Sequence, residues 1–281
     1  MSLTHDTMTS KPVHDTPTRV CLYPHFHKPF PYNQESTWIK PCYVDDVEIG
    51  KNSIHIDWIF DDLYKYYEAE GVSKEDFLKA LGQQATEYYL LKNPPDIDFI
   101  GCVTYRRMLC FMPEIPVYEY QINLPAKEAL KLGTEQERKI LTHYMYYNDV
   151  ITNRSTFLPC SVTQQYLQSQ PPEYWWLSHQ AIRDLFPHYD KQSLLWFDQS
   201  VIPFTTNYFF RKELFLRYAS ELFQILEYIY QNCSKVYPIN KSGNKQFDFW
   251  RYPGFIGERF LGFFIHANSL KKLEVPLIFL Q

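Results

Sequence analysis

The spacing of apolar residues predicts strands and helices that alternate along most of the chain. Short apolar runs predict strands at 19–23, 97–103, 203–210 and 275–280. Helical spacing predicts amphipathic helices at 54–70, 73–93, 211–233 and 257–268. Such alternation is typical of one α/β domain built on a mixed or parallel sheet.

Two parts of the chain depart from this alternation. Residues 126–200 have mainly helical patterns, although 140–151 fits a helix or a strand, and we interpret this part as a helical insertion over the active face. Residues 1–18 are rich in Thr, Ser, His and Pro, which predicts a flexible tail. The expected organisation is therefore a tail over 1–18 and one α/β domain over 19–281.

Composition narrows the class of protein. A chain of 281 residues can bury a sizeable core, and its net charge of −4 argues against a chain-wide nucleic-acid-binding surface. Aromatic residues make up 18% of the chain. Some of them are expected to line clefts where flat rings suit sugars and bases, and the alternative is that they fill a bulky core.

The cysteines and the apolar runs indicate the cellular compartment in which the protein is located. The six cysteines form no CxxC pair, which argues against zinc-ribbon and thioredoxin-like sites and favours free thiols in a reducing cytoplasm. No stretch approaches the roughly 18 apolar residues of a transmembrane helix. We predict a cytoplasmic protein and leave open its peripheral attachment to the cytoplasmic face of the membrane.

The predicted strand at 97–103 leads into a polar cluster of Tyr105, Arg106 and Arg107. Ligand sites of open α/β sheets lie outside the carboxyl ends of strands. A guanidinium offers paired donors that match phosphate or carboxylate, so these arginines indicate an anionic ligand. An ordinary surface loop with two arginines is the alternative interpretation.

A second candidate segment follows the first predicted strand. His25, His27 and Lys28 lie directly after it, where a doubly wound fold would face a nucleotide. The alternative is a rigid proline-rich loop whose histidines have no ligand.

Three stretches resemble a bacterial glycosyltransferase family, DUF4422, of capsular and exopolysaccharide biosynthesis. The family pattern D-Y-I-G-L-C-H-Y-R-R-Y-F resembles Asp98-Phe-Ile-Gly-Cys-Val-Thr-Tyr-Arg-Arg-Met-Leu109. The pattern Y-N-M-F-I-M-K-K-E-L-F-x-x-Y resembles 206–218, and R-x-x-G-F-L-S-E-R-L-L resembles 251–261. The similarity extends over about 19–281 and includes the closing strand at 273–279. Two departures are Gln83, where the family usually has Glu, and Thr104, where it has His.

The resemblance implies a GT-A-like, Rossmann-like domain that binds a nucleotide-diphosphate sugar. Many GT-A enzymes hold a divalent metal with Asp-x-Asp after a strand, whereas Asp96-Ile-Asp98 precedes the strand here and is better explained as a cap. We therefore expect Tyr105, Arg106 and Arg107 to bind the diphosphate with no cofactor required, although Mn²⁺ or Mg²⁺ remains an option.

An inverting transfer also needs a base for the acceptor hydroxyl. Within the third motif, Glu258 is the candidate; the alternative is a carboxylate favoured only by the helix dipole. Arg251 and Arg259 are expected to pair with Glu258 or to bind phosphate. Asn207 is a candidate for sugar hydroxyls or for a structural turn, and His25 and Lys28 are further donor-site candidates.

The expected function is transfer of a hexose from a nucleotide-diphosphate sugar to a growing capsular, exopolysaccharide or lipopolysaccharide glycan. Galactose, as pyranose or furanose, is the hexose that the resemblance implies. The expected partners are this donor and a glycan or lipid-linked glycan acceptor, without nucleic acid. The alternative, motivated by Gln83 and Thr104, is a non-catalytic protein that binds nucleotide sugars or glycans.

Overall fold

The computed structural model describes residues 18–27, 30–44, 52–69, 71–104, 106–115, 119–189, 194–203, 205–233 and 251–281. Its strands are β1 Val20–Phe26, β2 Cys42–Tyr43, β3 Ile54–His55, β4 Phe99–Thr104, β5 Arg107–Leu109, β6 Gln121–Leu124, β7 Val150–Asn153, β8 Thr156–Phe157, β9 Val201–Ile202, β10 Tyr208–Arg211, β11 Lys272–Val275 and β12 Leu277–Leu280. Its α-helices are α1 Asp61–Glu68, α2 Lys74–Leu81, α3 Gln84–Lys92, α4 Glu135–Tyr147, α5 Val162–Leu167, α6 Pro172–Leu185, α7 Lys212–Asn232 and α8 Tyr252–Ala267. Short 3₁₀ helices span Ala126–Lys131 and Leu195–Asp198.

The central sheet has seven strands in the order β11-β7-β10-β4-β1-β2-β3. Its neighbours pair in parallel, except that β10 runs antiparallel between β4 and β7. Strands β5, β12 and β6 form a second, three-stranded sheet, and β8 pairs with β9. The carboxyl ends of β1, β4 and β7 therefore lie at one edge of the central sheet, where β10 begins.

Both faces of the central sheet are covered by apolar side chains. Alternate residues of β1 divide between the faces: Cys21 and Tyr23 join the larger core, and Val20 and Leu22 join the smaller one. Side chains of α1–α3 and α5–α8 contribute to the larger core, whereas Leu141 and Met145 of α4 cover the opposite face. Burial on both faces explains why β1 and β4 have nearly continuous apolar runs instead of alternating ones.

Gly101 interrupts the apolar run of β4 because the neighbouring strand comes close at that point. It pairs with Phe209 of β10, and a Cβ atom at Gly101 would overlap the Phe209 ring. The aromatic ring occupies the space that a side chain at 101 would need, so this position requires glycine.

The α/β class with a mostly parallel, mixed sheet is confirmed, and several boundaries differ from the sequence predictions. The helix predicted over 73–93 is two helices, because Gly82 has φ +54° and ends α2. The helix predicted over 54–70 begins only at Asp61, since Ile54–His55 pairs with β2. The segment 126–200 contains central strand β7 in addition to helices.

The predicted tail lies outside the described residues, except for Thr18. The division into a tail and one α/β domain therefore stays a prediction. Among the described residues, no helix combines the length and the apolar character needed to cross a bilayer.

Candidate active site

A cleft of about 130 Å³ opens beside the carboxyl end of β4, and we call it the central cleft. The polar and charged residues that line it include Gln83, Thr104, Arg107, Thr206, Arg251 and Glu258. Arg107 lies three residues beyond the end of β4, as the strand prediction placed it. The third motif supplies Arg251 and Glu258, so two distant motifs of the sequence meet at one site.

Two helix N-termini open onto the central cleft. Gln83 precedes α3 and Arg251 precedes α8, and among the described residues neither helix start has a side-chain capping hydrogen bond. In α3 the backbone N–H groups of Ala85 and Thr86 donate to the carbonyl oxygens of Gly82 and Gln83. Both helix N-termini nevertheless carry a partial positive charge. With the guanidinium groups of Arg107 and Arg251, they make the cleft a favourable environment for an anion such as phosphate.

Gln84 joins these two helix starts. Its side-chain Nε2 donates to the carbonyl oxygen of Pro253 at 2.6 Å, and the side chain is 2% exposed. A Cβ atom at Gly257 would overlap this amide, so the glycine allows α8 to approach α3. The spacing of the two helices at the cleft therefore depends on a glutamine from one and a glycine from the other.

The loop 205–207 forms another wall and is held by polar contacts. Thr205 has φ +80°, an unusual value for a β-branched residue, which costs roughly 1–3 kcal/mol. Asn207 supports this conformation, because its Nδ2 donates to Thr205 Oγ1 at 2.6 Å. Its Oδ1 accepts from the backbone N–H of Thr104 at 3.3 Å, which ties the loop to the end of β4.

Gln83 binds the same loop from the α3 side. Its Nε2 donates to the carbonyl oxygen of Thr206 at 2.5 Å and to Glu87 Oε1 at 3.2 Å. Tyr208 donates its hydroxyl to the same Glu87 oxygen at 2.8 Å. Burial raises the pKa of Glu87 to about 7, although the hydrogen bonds from Tyr208 and Gln83 lower it.

A second cleft of about 340 Å³, which we call the aromatic cleft, lies on the other side of Arg107. It is lined by Tyr120 and Phe279, together with Asn153 at the end of β7. The Arg107 guanidinium lies 5.4 Å from the centroid of the Phe279 ring, a cation–π contact. Arg107 lines both clefts, and the loop 205–207 contributes Thr206 to one and Thr205 to the other.

The structure separates two neighbours that the sequence analysis grouped. Glu258 lines the central cleft with its side chain 22% exposed, whereas Arg259 is 1% exposed. The Arg259 guanidinium contacts Glu258 at 3.2 Å and donates to the carbonyl oxygen of Phe255 and to Gln165. Arg259 therefore pairs with Glu258 from inside the protein and does not line the central cleft.

The other predicted site residues have different positions. Arg106 is exposed beside the central cleft but does not line it, whereas Arg251 does. His25 is buried opposite Thr104, with Nδ1 3.0 Å from Thr86 Oγ1. Burial lowers the pKa of His25 to about 3, as does the nearby His27. Tyr105 and Lys28 lie outside the described residues.

Among the described residues that line the central cleft, the donor set does not fit a metal held by the protein alone. Glu258 is the one carboxylate among these described lining residues, and it is paired with Arg259. Asp96 and Asp98 contact Arg19 at the amino end of β4, roughly 20 Å along a six-residue strand from the cleft. Across the described part of the chain, no three His, Cys, Asp or Glu residues are grouped to bind a metal.

Gln84, Thr206 and Glu87 are site residues that the sequence reasoning did not single out. Gln84 had no motif to mark it, and its role depends on the contact between α3 and α8. Glu87 offered one signal, because it is a carboxylate between the apolar Ala85 and the aromatic Tyr88 in the helix predicted over 73–93. A charge in such a position needs buried partners, which indicates a polar network.

Comparisons with known proteins identify the class of fold. The chain superimposes on the apo structure of WbbM, a bifunctional glycosyltransferase, with a TM-score of 0.66 and 20% identity. The match covers 94% of this chain and 46% of WbbM, so the chain spans less than half of that protein. The fold is therefore GT-A-like, as expected.

A second structure is too distant to support an argument. The match to core-mannan synthase A from Aspergillus fumigatus, in its Mn/GDP form, has a TM-score of 0.40 and 9% identity over 93% of this chain and 74% of the synthase. No curated protein sequence matches the chain. The family profile described as "Domain of unknown function (DUF4422)" matches residues 22–269. The chain therefore belongs to the DUF4422 family.

Proposed function

We propose that this protein is a glycosyltransferase that uses a nucleotide-diphosphate sugar. The observation that carries the proposal is the convergence of Arg107, Arg251 and two helix N-termini on one cleft of a GT-A-like fold. The overall fold of WbbM supports it, since that protein is itself described as a bifunctional glycosyltransferase. The transferred group, acceptor and linkage depend on contacts beyond these residues.

The arginines are proposed to bind the donor diphosphate. When the bond between the anomeric carbon and the diphosphate breaks, the electron pair stays on the phosphate oxygen, and negative charge develops there. Fixed positive groups aimed at that oxygen stabilise the transition state. Arg107 suits this role because its stacking on Phe279 holds the guanidinium at the boundary of the two clefts.

Glu258 is proposed to act as the base of an inverting transfer. The acceptor oxygen attacks the anomeric carbon, its proton passes to a Glu258 carboxylate oxygen, and the nucleotide diphosphate leaves. The Arg259 guanidinium lies 3.2 Å from Glu258 and holds its carboxylate in place. The charge of Glu258 is also offset by that partner, so the cleft keeps the positive balance that a diphosphate requires.

The finer assignment follows the resemblance of the motifs to the family. We propose a hexose donor, with galactose in pyranose or furanose form as the first candidates. The proposed acceptor is a growing capsular, exopolysaccharide or lipopolysaccharide glycan, and the proposed location is the cytoplasm or the cytoplasmic face of the membrane. The other proposed donor-site residues are Arg106, Asn207, Tyr105, Lys28 and His25.

The first test is a thermal-shift screen with UDP, GDP, dTDP and their hexose conjugates, with and without Mn²⁺. A ligand that binds only the folded chain raises the melting temperature in proportion to the logarithm of its concentration over its Kd. We expect one family of ligands to give a shift that Arg107→Ala removes. Arg19→Ala is the matched control, because it removes the same charge at the amino end of β4, away from the central cleft, and it should keep most of the shift.

One structural observation keeps the binding-protein alternative as a second candidate. Gln83 and Thr104, the two departures from the family pattern, both line the central cleft. A ligand-dependent shift without release of nucleoside diphosphate in the presence of glycan acceptors would favour a binding protein. Absence of both a shift and transfer across the panel would contradict the proposed function.

A further inference from the structure

The side chain of Gln83 is fully engaged within the protein, although it lines the central cleft. Both amide hydrogens have acceptors, namely the Thr206 carbonyl oxygen and Glu87 Oε1. Its Oε1 accepts a hydrogen bond from Thr206 Oγ1 at 3.1 Å. A glutamine with both N–H groups used has no donor left for a ligand, so its contribution to binding is the position of what it holds.

Gln83 holds a segment that would not keep its conformation unaided. Thr206 follows Thr205, whose positive φ places the backbone under strain, and strained residues persist only where their surroundings fix them. Two hydrogen bonds between Gln83 and Thr206, one donated by each residue, and one from Asn207 to Thr205 supply that constraint. The same segment separates the central cleft from the aromatic cleft.

Glu87 orients Gln83 from beneath. It is fully buried, and its Oε1 accepts from both Gln83 and Tyr208. The titratable groups that face it are Cys102 on β4, Tyr208 on β10 and Tyr218 on α7, and burial raises the pKa of each, which keeps all three neutral. No cation faces Glu87 from these elements, so the amide of Gln83 and the hydroxyl of Tyr208 are its polar support.

A carboxylate at position 83 does not fit these surroundings. It would bring a second acid against Glu87 and point oxygen at the Thr206 carbonyl, which can only accept. Two carboxylates in contact cannot both ionise without a large cost. The amide at 83 is therefore matched to Glu87.

We propose that Gln83 and Glu87 are a pair of positioning residues that fix the loop 205–207 as the wall of the donor cleft, and that Gln83 is not a disabled catalytic acid. The proposal rests on the proposed function for the meaning of the cleft. It goes beyond that function because it assigns a role to Gln83, a side chain that has no hydrogen-bond donor left for the ligand. It also predicts that restoring the family's glutamate harms the protein.

The test compares Gln83→Glu with Gln83→Met. For each variant, Kd and KM are measured at pH 6 and at pH 8 for the nucleotide sugar that the thermal-shift screen identifies. Relative to wild type at the same pH, Gln83→Glu should weaken donor binding about tenfold or more at pH 8, because two adjacent carboxylates would displace the loop 205–207 that forms the cleft wall. At pH 6 a shared proton lets the two acids bond to each other, so much of this loss should be recovered. Gln83→Met should weaken binding similarly at both pH values.

The control is Glu221→Gln, another buried carboxyl that accepts from a tyrosine hydroxyl, here Tyr189, but lies outside both clefts. It should lower the melting temperature without changing donor KM. Donor binding by Gln83→Glu equal to or tighter than wild type at pH 8, or faster turnover, would overturn the inference while leaving the proposed function intact. If wild type and Arg107→Ala both fail to bind every nucleotide sugar, the proposed function falls and this inference with it.

Discussion

The side-chain amide of Gln84 donates to the carbonyl oxygen of Pro253 at 2.6 Å and so connects the first turns of α3 and α8. The start of α8 carries the third sequence motif, so this contact holds it beside the cleft that Arg107 of the first motif also lines. The remaining oxygen, Gln84 Oε1, is buried with no hydrogen-bond partner among the described residues. The contact therefore fixes the spacing of the two helix starts.

Gly257→Ala should disturb this contact. The added methyl group would overlap the Gln84 amide, so we expect a loss of about 1–3 kcal/mol in the free energy of unfolding and weaker donor binding. Gly254→Ala is the matched control on the same helix, because no atom of the described residues lies within 4 Å of its added Cβ. Its free energy of unfolding should rise by up to about 1 kcal/mol, because alanine has a higher helix propensity than glycine. Equal effects of the two variants in urea unfolding would contradict the packing argument.

Glu87→Gln should change how stability depends on pH. The pKa of Glu87 in the folded chain is about 7 and exceeds the ordinary glutamate value of 4.5, so the native state holds the proton more tightly than the unfolded state. The contribution of this group is then full below about pH 4.5 and is lost as pH rises towards 7, by about 3 kcal/mol. Glu87→Gln has no proton to lose at this position. Its free energy of unfolding relative to that of wild type should therefore rise between pH 5 and pH 8.

Chemical denaturation of both proteins across that range measures this difference. The low pKa of His25 gives a separate dependence, since its stability contribution is lost as pH falls below about 6.5. That dependence is common to both proteins and cancels in the difference. A constant difference between pH 5 and pH 8 would show that Glu87 does not titrate in this window.

Glu258→Gln separates a base from a binding residue. The amide keeps the shape but cannot accept the acceptor proton, so we expect kcat to fall by about 10²–10⁴ while donor Kd changes little. Arg259 would lose its charged partner, so the melting temperature must be measured alongside. Full turnover in the variant would exclude Glu258 as the base, and an equal loss in donor affinity would assign it to binding.

The Asp96→Ala/Asp98→Ala double variant should leave ligand binding unchanged. Both carboxylates contact Arg19 at the amino end of β4, away from the central cleft, and both are substantially exposed. Exposed pairs of this kind contribute no more than about 1 kcal/mol. Thermal shifts with and without Mn²⁺ check the expectation. A cation-dependent shift that disappears in this variant would assign the two aspartates to a metal site.

Gly101→Ala should destabilise the central sheet by about 1–3 kcal/mol, because the methyl group would overlap the Phe209 ring. Phe209→Leu removes that ring and should itself be destabilising, since the side chain is fully buried. In the double variant the overlap is relieved. Its measured loss in the free energy of unfolding should therefore be smaller than the sum of the losses in the two single variants. Strict additivity in a double-mutant cycle would contradict the contact.

The sequence by itself determined the class of fold and predicted a candidate site at the carboxyl end of the central strand. The apolar run of β4 and its polar end predicted a buried strand with arginines at its carboxyl end, because burial on both faces leaves a readable pattern. The pattern could not assign 140–151, where β7 follows α4 directly. It also missed the break at Gly82, because a single glycine in a helical pattern is often tolerated.

Only the tertiary structure decided which candidate side chains meet at the cleft. Glu258 and Arg259 are adjacent in sequence, yet one lines the cleft and the other is buried, since neighbouring helical residues point in different directions. Gln84 and Glu87 carry no motif, and their roles depend on α8 and β10, which lie more than a hundred residues further along the chain. Local patterns record burial and backbone conformation, whereas a site is assembled by long-range packing that no local pattern contains.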